Sequence, residues 1–232
     1  MNSKTDVIIL IGPPGAGKGS LANLCIKNLG WKQLSTGNLC RKHIAEQTEI
    51  GKQIDFAIKS GKLVSDSLMT GVVDEWLSSQ IGRVPAVILD GFPRTVAQAK
   101  ALGEYLKDKE SHLKLTVVKL FISHEKVIAR LCNRYICSNI ECQAIYSLST
   151  GSTLVPQKEM ICDTCGNPLT KRKDDEEEAI VERLQIYRKH EQDLLNFYIN
   201  AQHAVTECNV ERSLNEIFED FKRLMGIGLK AG

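Results

Sequence analysis

The 232-residue sequence has almost no net charge: 30 Lys and Arg stand against 28 Asp and Glu, leaving +2 at pH 7. So even a balance excludes a general electrostatic attraction to nucleic acid or membrane, and any anion site must come from local placement of charge. Long hydrophobic runs are missing too. Nothing approaches the roughly 20 apolar residues of a membrane span, and no basic start leads into an apolar stretch as in a secretory signal. Internal repeats and low-complexity segments are absent as well. These absences predict a soluble, cytoplasmic protein with no membrane or nucleic-acid partner. Eight cysteines without an export signal read as thiols or metal ligands rather than as a disulfide framework.

What is there is an α/β rhythm. Val7-Ile8-Ile9-Leu10-Ile11 is a continuous apolar run ending at Gly12-Pro13-Pro14-Gly15, as suits a strand buried on both faces of a parallel sheet. The pattern predicts a helix over 18–29, a strand over 86–89, a helix over 96–109, a strand over 115–122 and a helix over 125–133. Strands alternating with helices imply a parallel sheet with right-handed crossovers. Two stretches interrupt it. Residues 36–80 read as helical, with turn signals at 49–51 and 60–62; residues 134–173 read as irregular. A charged run from Lys171 to Glu178 then opens a helix reaching about Tyr198, and a last helix covers 214–225. The length suits one core carrying insertions.

Gly12 to Ser20 fits the phosphate-loop pattern of Gly, four residues and Gly-Lys, with Gly19 preceding the hydroxyl residue. Glycines let the backbone N–H groups of Gly15, Ala16, Gly17, Lys18, Gly19 and Ser20 converge on phosphate oxygens, and the helix start adds partial positive charge. Lys18 would reach the terminal phosphates and Ser20 the accompanying Mg²⁺. Such a loop predicts a nucleoside triphosphate and leaves ATPases, GTPases and small-molecule kinases open.

Cys137 and Cys142 form one pair, and Cys162 and Cys165 a second. Four thiolates in two knuckles predict a closed, tetrahedral, structural zinc site with no position left for water or substrate. It would hold a segment poor in apolar residues. A zinc-ribbon nucleic-acid module would want a basic, aromatic-studded surface, and this segment offers little beyond Tyr135 and Tyr146.

Gly17-Lys18-Gly19-Ser20, Leu34 to Arg41, Ser60 to Asp66 and Asp90-Gly91-Phe92-Pro93-Arg94-Thr95 stand in the order of the blocks of the adenylate kinase family, which the chain resembles over nearly its whole length. The resemblance implies a phosphate-loop core (1–35, 81–133 and 174–232), a helical insertion binding nucleoside monophosphate (36–80) and a zinc-binding lid (134–173). It implies reversible transfer of the terminal phosphoryl group of ATP to AMP, by a monomer with structural Zn²⁺ and with Mg²⁺ on ATP. Thr36 would lie on the adenine side, Arg41 on the AMP phosphate, and Lys62, Leu63 and Val64 around ribose and base. The Gly91-Phe92-Pro93-Arg94 turn would hold the same phosphate, and Gln98 would read the adenine edge. Arg130 and Arg134, sharing a helix face if the helix persists, would contact the ATP phosphates. Arg172 and Arg183 would bridge toward AMP and the transferring group, Ile145 and Tyr146 would lie near the ATP base, and Asp174 and Asp175 would orient the arginines. Asp90, closing its strand, would hold Mg²⁺ partly through water.

The physical chemistry agrees with these roles: a guanidinium bonds phosphate oxygens bidentately, and an amide matches the donor and acceptor of adenine's edge. Asn38 stands where the family usually has Asp, and residues 208–212 lack the family's base-contacting glycine. A pyrimidine acceptor, a GTP donor and a regulatory nucleotide-binding protein without catalysis are the rival readings.

Overall fold

Five residues of the apolar run are buried because its strand is covered on both faces. β1, Thr5–Ile11, leaves only Asp6 partly exposed. The buried Thr5 hydroxyl is satisfied, donating to the Val84 carbonyl at 2.8 Å and accepting from Gly82 N–H at 2.9 Å. The computed structural model describes residues 5–59, 64–107, 113–149, 151–172 and 175–227, and of Ile58 only the backbone.

Helix α1 spans Lys18–Leu29, and β2, Lys32–Ser35, follows. The next helices are α2, Thr36–Ala45; α3, Glu49–Lys59; and α4, Asp66–Gln80. Ser35 caps α2 and Ser65 caps α4, each hydroxyl accepting a backbone N–H three residues on. The expected turn at 49–51 falls earlier, at 46–48: Thr48 Oγ1 accepts Gly51 N–H at 3.0 Å, and α3 begins at once. Strand β3, Ala86–Asp90, then α5, Val96–Lys107, and β4, Leu113–Phe121, continue the alternation. The end of α5 expected at 108–109 lies outside the described residues.

The chain folds into two compact units. The first holds residues to Ile11, 22–118 and 189–205. There β1 and β2 both pair with β3 in parallel, with Val7 opposite Val87 and Leu34 opposite Leu89. In the second unit (12–21, 119–188 and beyond 206) lie α6, His124–Cys132; the short strands β5, Arg134–Cys137, β6, Ile145–Ser147, and β7, Leu169–Thr170; and α8, Leu214–Leu224. Helix α7, Glu177–Asn200, and strand β8, Val205–Asn209, run from one unit's residues into the other's.

The main sheet has the order β2-β3-β1-β4-β8, a mainly parallel α/β architecture as expected. Three expectations are corrected. Residues 134–173 are not irregular throughout: β5 pairs antiparallel with β6 and β7. Helix α6 stops at Cys132, so Arg134 opens a strand and does not share a helix face with Arg130. Strands β2 and β8 were not expected; each is too short to show a period. No helix among the described residues is long and apolar enough to cross a membrane.

Candidate active site

The strand-to-helix turn after β1 is held open by glycine. Gly15 and Gly17 have φ of 84° and 88°, in the left-handed region, and a Cβ on Gly15 would come within 2.9 Å of Leu131 Cγ. Ala16 is buried, its N–H donated to Pro13 O at 3.1 Å. Lys18 Nζ donates to the carbonyls of Gly12 and Pro13 at 2.6 and 2.9 Å, folding the ammonium over the loop. Gly19 and Ser20 lie in the first turn of α1, half-buried.

Arg130 joins this loop from α6. Its Nη1 reaches Ala16 O at 3.5 Å and its Nη2 donates to Val210 O at 2.6 Å. Burial lowers the guanidinium's pKa, and the nearby Glu211 carboxylate opposes that. Glu211 was not singled out from sequence. Its carboxylate accepts Ser123 N–H at 2.6 Å and Lys126 Nζ at 2.9 Å, at the start of α6, where Ser123 makes no side-chain cap.

A second cationic group gathers on Asp175. This carboxylate is buried and bonds Arg134 through both Nε, at 2.7 Å, and Nη2, while its Oδ1 also accepts from Arg183 Nη1 at 3.0 Å. A bidentate fork plus a third bond fixes two guanidiniums together. Asp175 N–H donates to Arg172 O at 3.1 Å, putting Arg172 on the same turn. Asp174 lies outside the described residues.

In the other unit, Asp90 ends β3 half-buried, its Oδ2 accepting Gln33 Nε2 at 3.1 Å. Gly91 has φ of 81°, and a Cβ there would meet Thr36 Oγ1 at 2.7 Å. Thr36 is buried, and its hydroxyl lies 2.9 Å from Gly91 O and 3.3 Å from Asp90 O, tying the start of α2 to the end of β3. Phe92 and Pro93, joined by a cis peptide bond, are buried and leave Arg94 exposed, with its Nε donating to Gly91 O at 2.8 Å. Arg41 bonds Asn38 Oδ1. Burial pushes the Cys40 thiol pKa up while the charges of Arg94 and Arg41 pull it down, so both guanidiniums share the neighbourhood of one thiol. Val64 is half-buried; Lys62 and Leu63 lie outside the described residues.

Gln98 is engaged at both ends of its amide. Oε1 accepts Arg94 N–H at 2.7 Å and Nε2 donates to Asp66 Oδ1 at 2.8 Å, with the residue 3% exposed. Asp66 was missed from sequence. No local signal was available, since its partner Gln98 lies 32 residues away.

The four clustered cysteines converge: their Sγ atoms all lie within 4.8 Å of one another. Cys137 and Cys165 are 3.3 Å apart and Cys142 and Cys162 3.7 Å, where a tetrahedron of Zn–S bonds needs about 3.8 Å. The Cys162 sulfur accepts the Tyr146 hydroxyl at 3.4 Å and the Cys165 sulfur the Asn167 amide at 3.4 Å. Four converging sulfurs are a donor set that fits zinc. The wider first pair does not prevent convergence.

Tyr146 packs with the cysteine cluster. It is buried in this cluster, donating to Cys162 Sγ at 3.4 Å and accepting Asp163 N–H at 2.7 Å. At Cys162 burial favours the thiol, but the Tyr146 hydroxyl and two backbone N–H groups outweigh it and bring the pKa down to about 6. Ile145 is half-buried beside it in β6.

A family model described as adenylate kinase matches residues 10–203. The chain is similar to the adenylate kinase of Clostridium tetani (strain Massachusetts / E88), with 36% identity over 219 residues, 94% of this chain and 98% of that protein. The adenylate kinase of Thermosipho africanus (strain TCF52B) is 36% identical over 219 residues, 93% and 99% of the two chains. That of Methanothrix thermoacetophila is 34% identical over 218 residues, 94% and 97%.

Proposed function

The chain belongs to the adenylate kinase family, and from that premise we propose that it is a phosphotransferase moving the terminal phosphoryl group of ATP reversibly to AMP, giving two ADP. The observation that carries the acceptor side is the Gly91–Arg94 turn at the carboxyl end of a buried parallel strand, tied through Thr36 to the start of α2, the helix that bears Arg41. Ligands of open α/β sheets bind at that end of the strands.

Transfer between phosphates needs little covalent chemistry, so the residues position groups and stabilise charge. The AMP phosphate is an anionic nucleophile and needs no general base. Gly15 to Ser20 cradle the ATP phosphates through backbone N–H groups; Lys18, Arg130 and Arg134 carry charge to them. Arg41, Arg94, Arg172 and Arg183 hold the acceptor phosphate and the transferring group, and Asp175 orients Arg134 and Arg183. Thr36, Val64 and Gln98 line the acceptor base, together with Lys62 and Leu63. On the donor base the reading rests on Ile145 and Tyr146, the latter with its hydroxyl held by Cys162.

Ser20 and Asp90 are the oxygen donors proposed for Mg²⁺, partly through water; when bound with ATP it neutralises phosphate charge. Cys137, Cys142, Cys162 and Cys165 would hold a structural zinc ion, which when bound cross-links the two knuckles. We assign 134–173 as a lid whose closure excludes water from the phosphoryl group, 36–80 as the insertion for the acceptor, and the rest as the core.

With ATP, Mg²⁺ and AMP, the purified protein is expected to form two ADP per AMP consumed, followed by ³¹P NMR. Arg94→Ala and Arg183→Ala should each lower kcat/KM about a hundredfold or more, as removal of a charge-stabilising donor does; near-normal rates would remove those two assignments.

A further inference from the structure

The acceptor reading leaves open what decides which way the Gln98 amide faces. An amide turned by 180° exchanges its donor and acceptor, and with them the base edge it matches.

Two fixed partners settle the orientation. Arg94 N–H can only donate, so the amide oxygen must face it, at 2.7 Å. An ionised Asp66 carboxylate can only accept, so the amide nitrogen must face that side, at 2.8 Å. Asp66 is itself held: its other oxygen accepts Thr95 Oγ1 at 3.1 Å. Thr95 in turn accepts Gln98 N–H at 3.2 Å, closing a ring of three bonds from the first turn of α4 to the first turn of α5. One amide hydrogen and one oxygen lone pair remain, in a defined order.

Resting on the acceptor reading above, we propose that Asp66 is a positioning residue that sets base specificity by locking the Gln98 amide. The locked amide presents a donor and an acceptor side by side. That suits an edge with a ring-nitrogen acceptor beside an exocyclic amino donor, the edge of adenine. It leaves both partners unmatched against hypoxanthine, whose ring N–H and carbonyl oxygen reverse the order. A site that must leave buried polar groups unpaired rejects such an analogue strongly.

The test is steady-state kinetics of the wild type, Asp66→Ala and Asp66→Asn with AMP and IMP as acceptors. Asp66→Ala removes the acceptor oxygen and is expected to lower the AMP-over-IMP ratio of kcat/KM about tenfold, mainly through a higher KM for AMP with kcat nearly kept. Asp66→Asn retains an oxygen for Gln98 Nε2 and should restore most of the ratio. A merely structural role would lower both acceptors alike. If Asp66→Ala does not fold, Asp66→Ser, too short to reach the amide on a helix start that tolerates serine, is expected to give the same drop. An active wild type whose ratio is unchanged in the folded Ala or Ser variant overturns the proposal alone; a wild type inactive with AMP overturns the acceptor reading and the proposal with it.

Discussion

Single residues carry opposite kinds of constraint in the two units. At Asp175 the constraint is charge: one buried carboxylate holds Arg134 and Arg183, so removing it takes an ion-pair partner from both. Breaking a buried pair from one side is costly because the remaining charge is uncompensated, and Asp175→Ala should lose about 3 kcal/mol of unfolding free energy by urea titration. Asp175→Asn should lose less. At Gly91 the constraint is shape. With φ of 81° and Thr36 Oγ1 at 2.7 Å from a built Cβ, Gly91→Ala must strain the backbone and displace the hydroxyl that ties α2 to β3. A loss of about 1–3 kcal/mol is expected, seen as a lower Tm; an unchanged Tm would show that the turn relaxes freely. Motif spacing made Lys18 and the four cysteines legible in sequence because each motif is local. Asp66 and Glu211 were not, since their partners lie 32 and 88 residues away. The turn of the Tyr146 hydroxyl to Cys162 was not legible for the same reason: nothing local signals it.

Among the elements, the long ones with strong apolar patterning were readable and the short ones were not. β1 and β3 are runs of Val, Ile and Leu, and the capping box of Ser213 and Glu216 opens α8. β5 and β6 are only four and three residues long, below the length at which alternation can be recognised. Their order is expected to depend on the cysteine cluster. Chelation should lower the Tm and speed amide exchange in 134–172 while sparing β1 and β3, and added Zn²⁺ should reverse both. Tyr146→Phe, which removes a bond to a ligand sulfur, should weaken zinc about tenfold in a chelator competition. Helix α6 has its own signature, since Glu211 caps it from a distant segment. Bonds from Lys126 and from Ser123 hold this carboxyl at about 2, against an ordinary 4.5. A depressed folded-state pKa means stability present above 4.5 that is lost as pH falls toward 2. The Tm gap between wild type and Glu211→Gln should therefore be full at pH 7 and shrink between pH 4.5 and 2. A gap that stays constant over that range would contradict the capping role.

For the molecule as a whole, the proposed function requires two nucleotides, a donor on the phosphate loop and an acceptor at the Gly91–Arg94 turn. On that proposal a protein that bound a single regulatory nucleotide would need the loop but not Arg94 just beyond β3. The architecture was legible early because alternating strands and helices admit few topologies. The resemblance also named AMP as acceptor, but the orientation of the Gln98 amide was not legible, since only tertiary contacts define it. The most direct test of the account is a coupled assay of the purified protein with ATP and Mg²⁺, offering AMP, CMP, UMP and GMP in turn. The account predicts rapid ADP formation with AMP and little with the other three. Transfer to a pyrimidine nucleotide in preference to AMP, or to none of the four with zinc present, would contradict it.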